Sequence, residues 1–193
     1  MKTLLVIVVT GISLSLQAQN KYFKTDGGIG AALTFGDKKS YGISVGVEPK
    51  VFFTPKLAAG LRFEGDALFG GSIPTTAGGT VDVSTSTRAA ILLKGEYYFS
   101  ESEKRPFVGV MLGRYTQANV GSSSTGSASI AAGTYFGYAP ELGITLKNFR
   151  ISGIYHFVPG TDLVTMSSGS PVEVSRNYLV IQLGFKMFQS EKF

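Results

Sequence analysis

Between residues 28 and 188, apolar residues recur at every second position in eight stretches, with small, polar or charged residues between them. Leu57–Phe69 is the clearest. Its odd positions include Leu57, Ala59, Leu61, Phe63, Ala67 and Phe69, and its even positions carry Arg62, Glu64 and Asp66. A period of two belongs to a strand, whose successive side chains point to opposite faces. The spacing predicts strands over Gly28–Phe35, Tyr41–Phe53, Leu57–Phe69, Thr87–Phe99, Phe107–Thr116, Thr134–Leu146, Phe149–Val158 and Arg176–Phe188. Most are long enough to cross a bilayer obliquely, which takes about 9–11 residues. Aromatic-rich apolar faces and charged faces of similar size are accommodated together when the first meet lipid and the second line a lumen. The predicted fold class is therefore all-β: an eight-stranded antiparallel up-and-down transmembrane barrel. Pro49 and Pro140 fall inside predicted strands. Proline cannot donate to a ladder, so both are expected to mark bulges or bends.

The connections fall into two classes. Thr54 to Lys56, Ser100 to Pro106 and Lys147-Asn148 are short; Gly70–Ser86, Gln117–Gly133 and Pro159–Ser175 are long and rich in Ser, Thr and Gly, as solvated flexible loops are. They alternate along the chain after a short first hairpin at Gly36–Ser40, as they do in transmembrane barrels with short turns on one side and long loops on the other. Aromatics gather at the strand ends. Phe53, Tyr97, Phe99, Phe107, Phe149 and Phe188 lie toward the short turns, and Phe35, Tyr41, Phe69, Tyr115, Phe136, Phe157 and Tyr178 toward the long connections. Two such girdles suit the two membrane interfaces.

Parity then assigns faces. Outward are expected Ile43, Val45, Val47, Val51, Leu61, Phe63, Ile91, Leu93, Met111, Leu142, Ile144, Ile151, Tyr155, Leu179, Ile181, Leu183 and Phe185. Inward is expected a charge network of Glu48, Arg62, Glu64, Asp66, Arg88, Lys94, Glu96, Arg114, Glu141, Arg150 and Lys186, with Lys50, His156 and Gln182. In the fifth strand Val108, Val110 and Leu112 share parity with Arg114, so its two faces conflict. If Phe53 and Leu57 oppose each other across the second turn, Glu48 faces Arg62.

The N-terminus opens with a short basic region, Met1-Lys2, followed by an apolar run from Leu4 to Leu16 and a small residue, Ala18, before Gln19. That is the form of a cleaved signal peptide over residues 1–18. A periplasmic segment over 19–27 and a barrel domain over 28–193 would follow. The run is short for a helical span, which needs about 20 apolar residues. No Cys follows it, so there is no site for a lipoprotein anchor. The absence of Cys also excludes disulfides and thiolate chemistry, and a single His makes a metal site improbable. Removing Lys2 leaves 17 basic against 13 acidic residues, a net +4 with no run beyond Lys38-Lys39, which is too diffuse for nucleic acid.

The last strand, Tyr178 to Phe188, alternates and ends in an aromatic. Together with the strand count, the turn pattern and the girdles, it makes residues 28–193 resemble the small eight-stranded outer-membrane β-barrel proteins of Gram-negative bacteria. The resemblance implies an outer-membrane location. It also implies an assembly signal at Phe188 or Phe193 read by the barrel-assembly machinery, contact with outer-membrane lipid and lipopolysaccharide, and surface or secretion partners met through the long loops. No cofactor is implied. The expected role is non-catalytic: structural, or acting through the outer loops in envelope integrity, adhesion or secretion.

Three alternatives stand beside it. A lipid-A-modifying enzyme would need a nucleophile beside His156, yet Ser152 sits four residues away on the same face, roughly 13 Å along the strand. A narrow channel for small or hydrophobic solutes could use Val108, Val110, Leu112 and Ile154, though eight strands leave a lumen just wide enough for side chains. A secreted soluble lipid-binding barrel lacks any Trp for a Gly-x-Trp opening.

Overall fold

The structure, a computed structural model, describes residues 22–34, 40–69, 72–74, 80–82, 86–122, 128–165 and 171–190. The expected signal peptide, residues 19–21, Phe35 and Phe193 lie outside the described residues. Every regular element among those residues is a strand: β1 (Tyr22–Thr34), β2 (Tyr41–Thr54), β3 (Leu57–Phe69), β4 (Ser72–Pro74), β5 (Thr80–Asp82), β6 (Ser86–Tyr98), β7 (Lys104–Ser122), β8 (Ala128–Leu146), β9 (Phe149–His156), β10 (Thr161–Thr165), β11 (Pro171–Ser175) and β12 (Tyr178–Gln189). Eight of them close into one antiparallel barrel in the order β1-β12-β9-β8-β7-β6-β3-β2. Closure gives the wall no free edge along the span, which a hydrocarbon surround demands.

The alternation seen in the sequence sorts the two faces. Ile43, Val45, Val47, Leu61, Phe63, Ile91, Leu93, Leu142, Ile151, Ile181, Leu183 and Phe185 are 41–62% exposed on the outer wall, whereas most of their neighbours of opposite parity are buried. Such an apolar belt would be untenable in water.

β7 corrects the sequence reading. Val108, Val110 and Leu112 are exposed on the outer wall, Met111 is buried in the lumen, and Arg114 faces outward with the valines. Three apolar side chains decided the face, and the small residues Gly109 and Gly113 took the lumen side. Arg114 sits opposite Phe136, whose ring is 67% exposed, near the long-connection end of the belt. There a long cationic side chain can reach the interface. Lys186 is also exposed, not inward. Thr25 pairs with Phe188 but Asp26 pairs with Lys186, so Met187 is an extra residue in β12, and around it the buried–exposed alternation ends, with every residue from Phe185 to Gln189 exposed. Three expected girdle aromatics, Phe107, Tyr115 and Tyr178, are buried inside the barrel.

Neither proline makes a bulge. β2 and β3 keep one register across Pro49: Val47 opposes Phe63 and Lys50 opposes Gly60, with only the rungs at Glu48 and Pro49 missing. The irregularity in this pair lies at Phe53, between Phe52 and Thr54. The Thr54 hydroxyl accepts the amides of Lys56 (3.1 Å) and Leu57 (2.9 Å), tightening the turn. Similarly, β8 stays in register across Pro140. Glu141 opposes Ile154, and Tyr138 and Phe157 resume the same register after two unpaired positions. Each proline removes rungs without shifting the strand.

Two boundaries also move. β1 starts at Tyr22, so residues 22–27 belong to the wall and not to a periplasmic segment. The long connections contain ladders of their own: β4 with β5, β10 with β11, and a β7–β8 ribbon that runs on to Ser122 opposite Ala128.

The face assignment on β7 predicts that Leu112→Arg lowers stability by about 2–4 kcal/mol, the usual effect of a charge against hydrocarbon. Arg114→Leu should be nearly neutral. Urea titration in lipid vesicles measures both. Strand crowding gives a second test. A Cβ on Gly60 would lie 2.3 Å from the Pro49 carbonyl oxygen, whereas one on Gly95 would meet nothing within 4 Å. Gly60→Ala should lower the temperature at which the folded band is lost in SDS electrophoresis, and Gly95→Ala should not.

Candidate functional site

The lumen holds the polar chemistry of this chain. Because the inward positions repeat every second residue on each strand, charged side chains from separate strands meet at similar heights across a narrow interior. Of the residues expected there, Glu48, Lys50, Arg62, Glu64, Asp66, Arg88, Lys94, Glu96, Glu141, Arg150, His156 and Gln182 are buried in it. Arg114 and Lys186 are not. Lys24 and Asp26, on the part of β1 that sequence reasoning left outside the barrel, join the network. Continuing the β1 alternation back from Gly28 would have found them. Removing Arg114 and Lys186 and adding Lys24 and Asp26 leaves six buried cations and six buried acids. Ions so far from water must be paired, and this set is balanced.

Arg62, from the centre of β3, is fully buried. It contacts Glu48, donates from Nε to Glu64 Oε2 at 2.6 Å and from Nη1 to Gln182 Oε1 at 2.9 Å. Glu48 thus meets Arg62 on the neighbouring strand. Lys94 Nζ contacts Glu48 Oε2 (2.8 Å), Glu96 Oε1 (3.0 Å) and Glu141 Oε2 (2.5 Å). Arg150 Nη2 joins Glu96 Oε1 (2.5 Å) to Glu141 Oε1 (2.7 Å). Lys50 Nζ links Glu96 Oε2 (2.9 Å) to Asp26 Oδ2 (2.8 Å), and Asp26 holds Lys24 at 2.9 Å. Asp26, Glu48, Glu96 and Glu141 each have more than one cation within reach, so these residues form one network and not a set of isolated pairs.

Aromatic layers bound the belt at both ends. Toward the short turns, Phe52, Ala58, Tyr98 and Phe107 form a buried cluster packed by Tyr22. The Arg150 guanidinium lies 3.8 Å from the Phe107 ring centre, and Arg105 lies 4.6 Å from that of Tyr98. Toward the long connections, Leu68, Leu92, Met111, Ile154, Val158 and Val180 pack with Tyr115 and Tyr178. Of the residues proposed to line an apolar conduit, only Ile154 is inside, and it is packed in this layer.

His156 sits at the junction of belt and layer. Its ring stacks on Tyr178 at 4.2 Å with planes 3° apart. Nδ1 lies 3.0 Å from the Tyr115 hydroxyl and Nε2 3.3 Å from Glu64 Oε1, which also accepts from the Tyr178 hydroxyl at 3.1 Å. Nδ1 thus has a hydrogen-bonding partner in Tyr115 and Nε2 faces the Glu64 carboxylate, while stacking on Tyr178 holds the imidazole plane. The tyrosines that fix it were read from sequence as interface residues. Among the described residues, no group of three or more His, Cys, Asp or Glu side chains is placed to hold a metal ion.

No family model and no curated protein matches the chain. Solved structures do. OprG from Pseudomonas aeruginosa, an outer-membrane protein, has a TM-score of 0.59 at 14% identity, covering 90% of this chain and 98% of its own. Ail, the attachment invasion locus protein of Yersinia pestis, solved with the heparin analogue sucrose octasulfate, has a TM-score of 0.55 at 14% identity, covering 88% and 100%. Neisserial surface protein A has a TM-score of 0.50 at 14% identity, covering 91% and 98%. The chain has the fold of the small eight-stranded outer-membrane barrels of Gram-negative bacteria, and its apolar outer belt is that of a protein seated in such a membrane.

The Glu48–Arg62 contact predicts a charge-swap result. Removing one partner of a buried ion pair costs about 3–5 kcal/mol, because the other is stranded. Glu48→Arg and Arg62→Glu should each lower the folded fraction recovered in vesicles, and the double variant should regain much of it. Failure of the double variant to exceed either single would mean that the pair contributes no coupling.

Proposed function

We propose that this protein is a non-catalytic outer-membrane barrel, closed to solute flow, that acts through its long-connection end in adhesion, envelope integrity or secretion. The observation that carries this is the filled lumen. Twelve buried charged side chains, six of each sign, occupy it between two clusters of buried aromatic and aliphatic side chains, which weighs against passage of a hydrated solute. His156 Nδ1 lies 3.0 Å from the Tyr115 hydroxyl and Nε2 faces Glu64, and Ser152 is four residues along the same strand, roughly 13 Å away and too far to be a nucleophile using His156 as its base. These points weigh against a lipid-A enzyme. Ladders in all three long connections extend the backbone structure at the opposite end, and the Ail structure with a heparin analogue supports an adhesive use of this fold.

On this reading the belt contacts outer-membrane lipid, with Arg114 near lipopolysaccharide phosphates at the outer interface. The assembly machinery would read the end of β12, where Phe188 is exposed at the short-turn end of the wall, opposite Thr25.

Two measurements test the reading. Planar-bilayer recordings of the purified protein should show no steady porin-sized conductance; such a current would overturn the closed lumen. Protease added to intact cells should cut only within the long connections, while labels at Lys56, Lys104 and Asn148 stay protected. Reversed access would invert the orientation.

A further inference from the structure

Five of the six buried acids have a cation within 4.0 Å, and Asp66 has none among the described residues. It is buried, and neither of its carboxyl oxygens takes part in a hydrogen bond. An ionised carboxylate so far from water demands a partner, whereas a protonated one carries no charge to be met. The arrangement is that of an acid holding its proton.

The cation that belongs beside Asp66 by register is Arg88. The two oppose each other across β3 and β6 on the inward face, where the Cβ atoms of such a pair lie about 5 Å apart. Arg88 turns elsewhere. Its guanidinium lies over the Tyr178 ring at 4.7 Å and donates from Nη1 to the Arg176 carbonyl at 3.2 Å. Arg176 stands where the third long connection rejoins the wall, just ahead of β12. Its own Nη1 donates to the Pro159 carbonyl at 3.0 Å, at the other foot of that connection, and its guanidinium lies 3.7 Å from the Tyr135 ring centre. Gly160, at a φ of 97°, leaves the room this guanidinium needs, since a Cβ there would run into Nη1. Through one carbonyl, Arg88 thus holds the residue that ties the two feet of the connection together.

We propose that Arg88 is a proton-controlled latch: with Asp66 neutral it clasps the base of the third long connection, and with Asp66 ionised it drops to the carboxylate and lets that base loosen. The step is a plain ionisation. The Asp66 carboxyl gives its proton to water, and the Arg88 guanidinium keeps its charge and exchanges a neutral carbonyl for an anion. Hydrogen bonds between ions are roughly twice as strong as those between neutral groups, so the carboxylate wins. The other groups that face Asp66 are uncharged or engaged. Ser44 on β2 and Tyr178 on β12 carry no charge, and Gly30, which opposes Ser44 on β1, has no side chain. Glu64 accepts from Arg62, Arg62 also contacts Glu48 and Gln182, and Tyr115 of β7 meets His156 of β9. The proposal deepens the reading above, which gives the long connections their role, but it concerns a contact that exists whether or not they meet a partner.

The test uses the full mature protein in lipid nanodiscs and reads amide exchange at Val158, whose N–H donates to the Asn177 side chain beside Arg176. Rates are taken relative to an unstructured peptide at the same pH. Protection of Val158 should fall about tenfold between about pH 5 and about pH 8. Asp66→Asn should keep the low-pH protection throughout, and Arg88→Met should show the weak protection throughout. His156→Gln should keep the parent's dependence, which separates Asp66 from the other group that titrates in this range. Should these variants not fold, the parent decides: in NMR spectra the Asp66 carboxyl carbon and the Arg88 Nε signal should shift with one midpoint. Protection that does not change with pH, a dependence that survives Asp66→Asn or vanishes in His156→Gln, or unequal midpoints would overturn the latch. None of these outcomes bears on conductance or protease access, so the latch and the closed-barrel reading can fail separately.

Discussion

A main chain in hydrocarbon has nothing to bond to except itself, and the rest of this structure follows from that. Each unmet N–H or C=O would cost several kcal/mol in lipid. Eight strands that pair edge to edge and return to the first meet the demand. Closure then fixes a small interior and forces half of all wall side chains into it. The apolar half meets the membrane. The polar half must find partners inside, because the narrow lumen admits little else.

The lumen is therefore an electrostatic problem before it is a functional one. Six cations and six acids share a volume capped by aromatic rings, and the solution is a network in which Lys94, Arg150 and Lys50 each bridge more than one carboxylate. Such a network contributes less to stability than its contact list suggests, because desolvation offsets much of the attraction, but loss of a single member is costly. His156 belongs to this account. Wedged between Tyr115, Tyr178 and Glu64, it stacks on one tyrosine, meets the hydroxyl of the other through Nδ1 and turns Nε2 toward the carboxylate.

Most of the barrel was legible in sequence because period two is a strong signal when one face meets lipid. β3 was read to its ends, and the outward belt from Ile43 to Phe185 was read correctly apart from Met111. Errors arose where the signal was weak or overridden. On β7, Arg114 was read inward because a charge seemed to demand it, but three apolar neighbours of the same parity outweighed one charge near the interface. Lys186 was lost to a bulge at Met187, which alternation cannot reveal. Asp26 and Lys24 were missed because Gly27 and Gly28 look like a strand boundary, although the alternation runs straight through them. Glu48 and Arg62 were matched through an assumed turn with Phe53 opposite Leu57. The actual turn has Thr54 there and a bulged Phe53, and the register beyond it is the same. The two unpaired positions between β8 and β9 left a trace in Pro140, but a proline alone could not show that the register resumes unshifted beyond it.

The origin of the lumen charges bears on how such a wall can be built. Asp26 comes from β1, Lys50 from β2, Arg62 from β3, Glu96 from β6, Glu141 from β8 and Arg150 from β9. Some pairs lie within adjacent strands, as Glu141 with Arg150 does, but Lys50 also reaches across to β6, and so does Arg150, which ties strands that are not neighbours. A half-finished sheet would carry naked ions on the face that later becomes the interior. Entry into the bilayer and joining of the first strand to the last are thereby linked: the contacts that cross the lumen, from Lys50 and Arg150 to Glu96, exist only once the wall has curved round on itself.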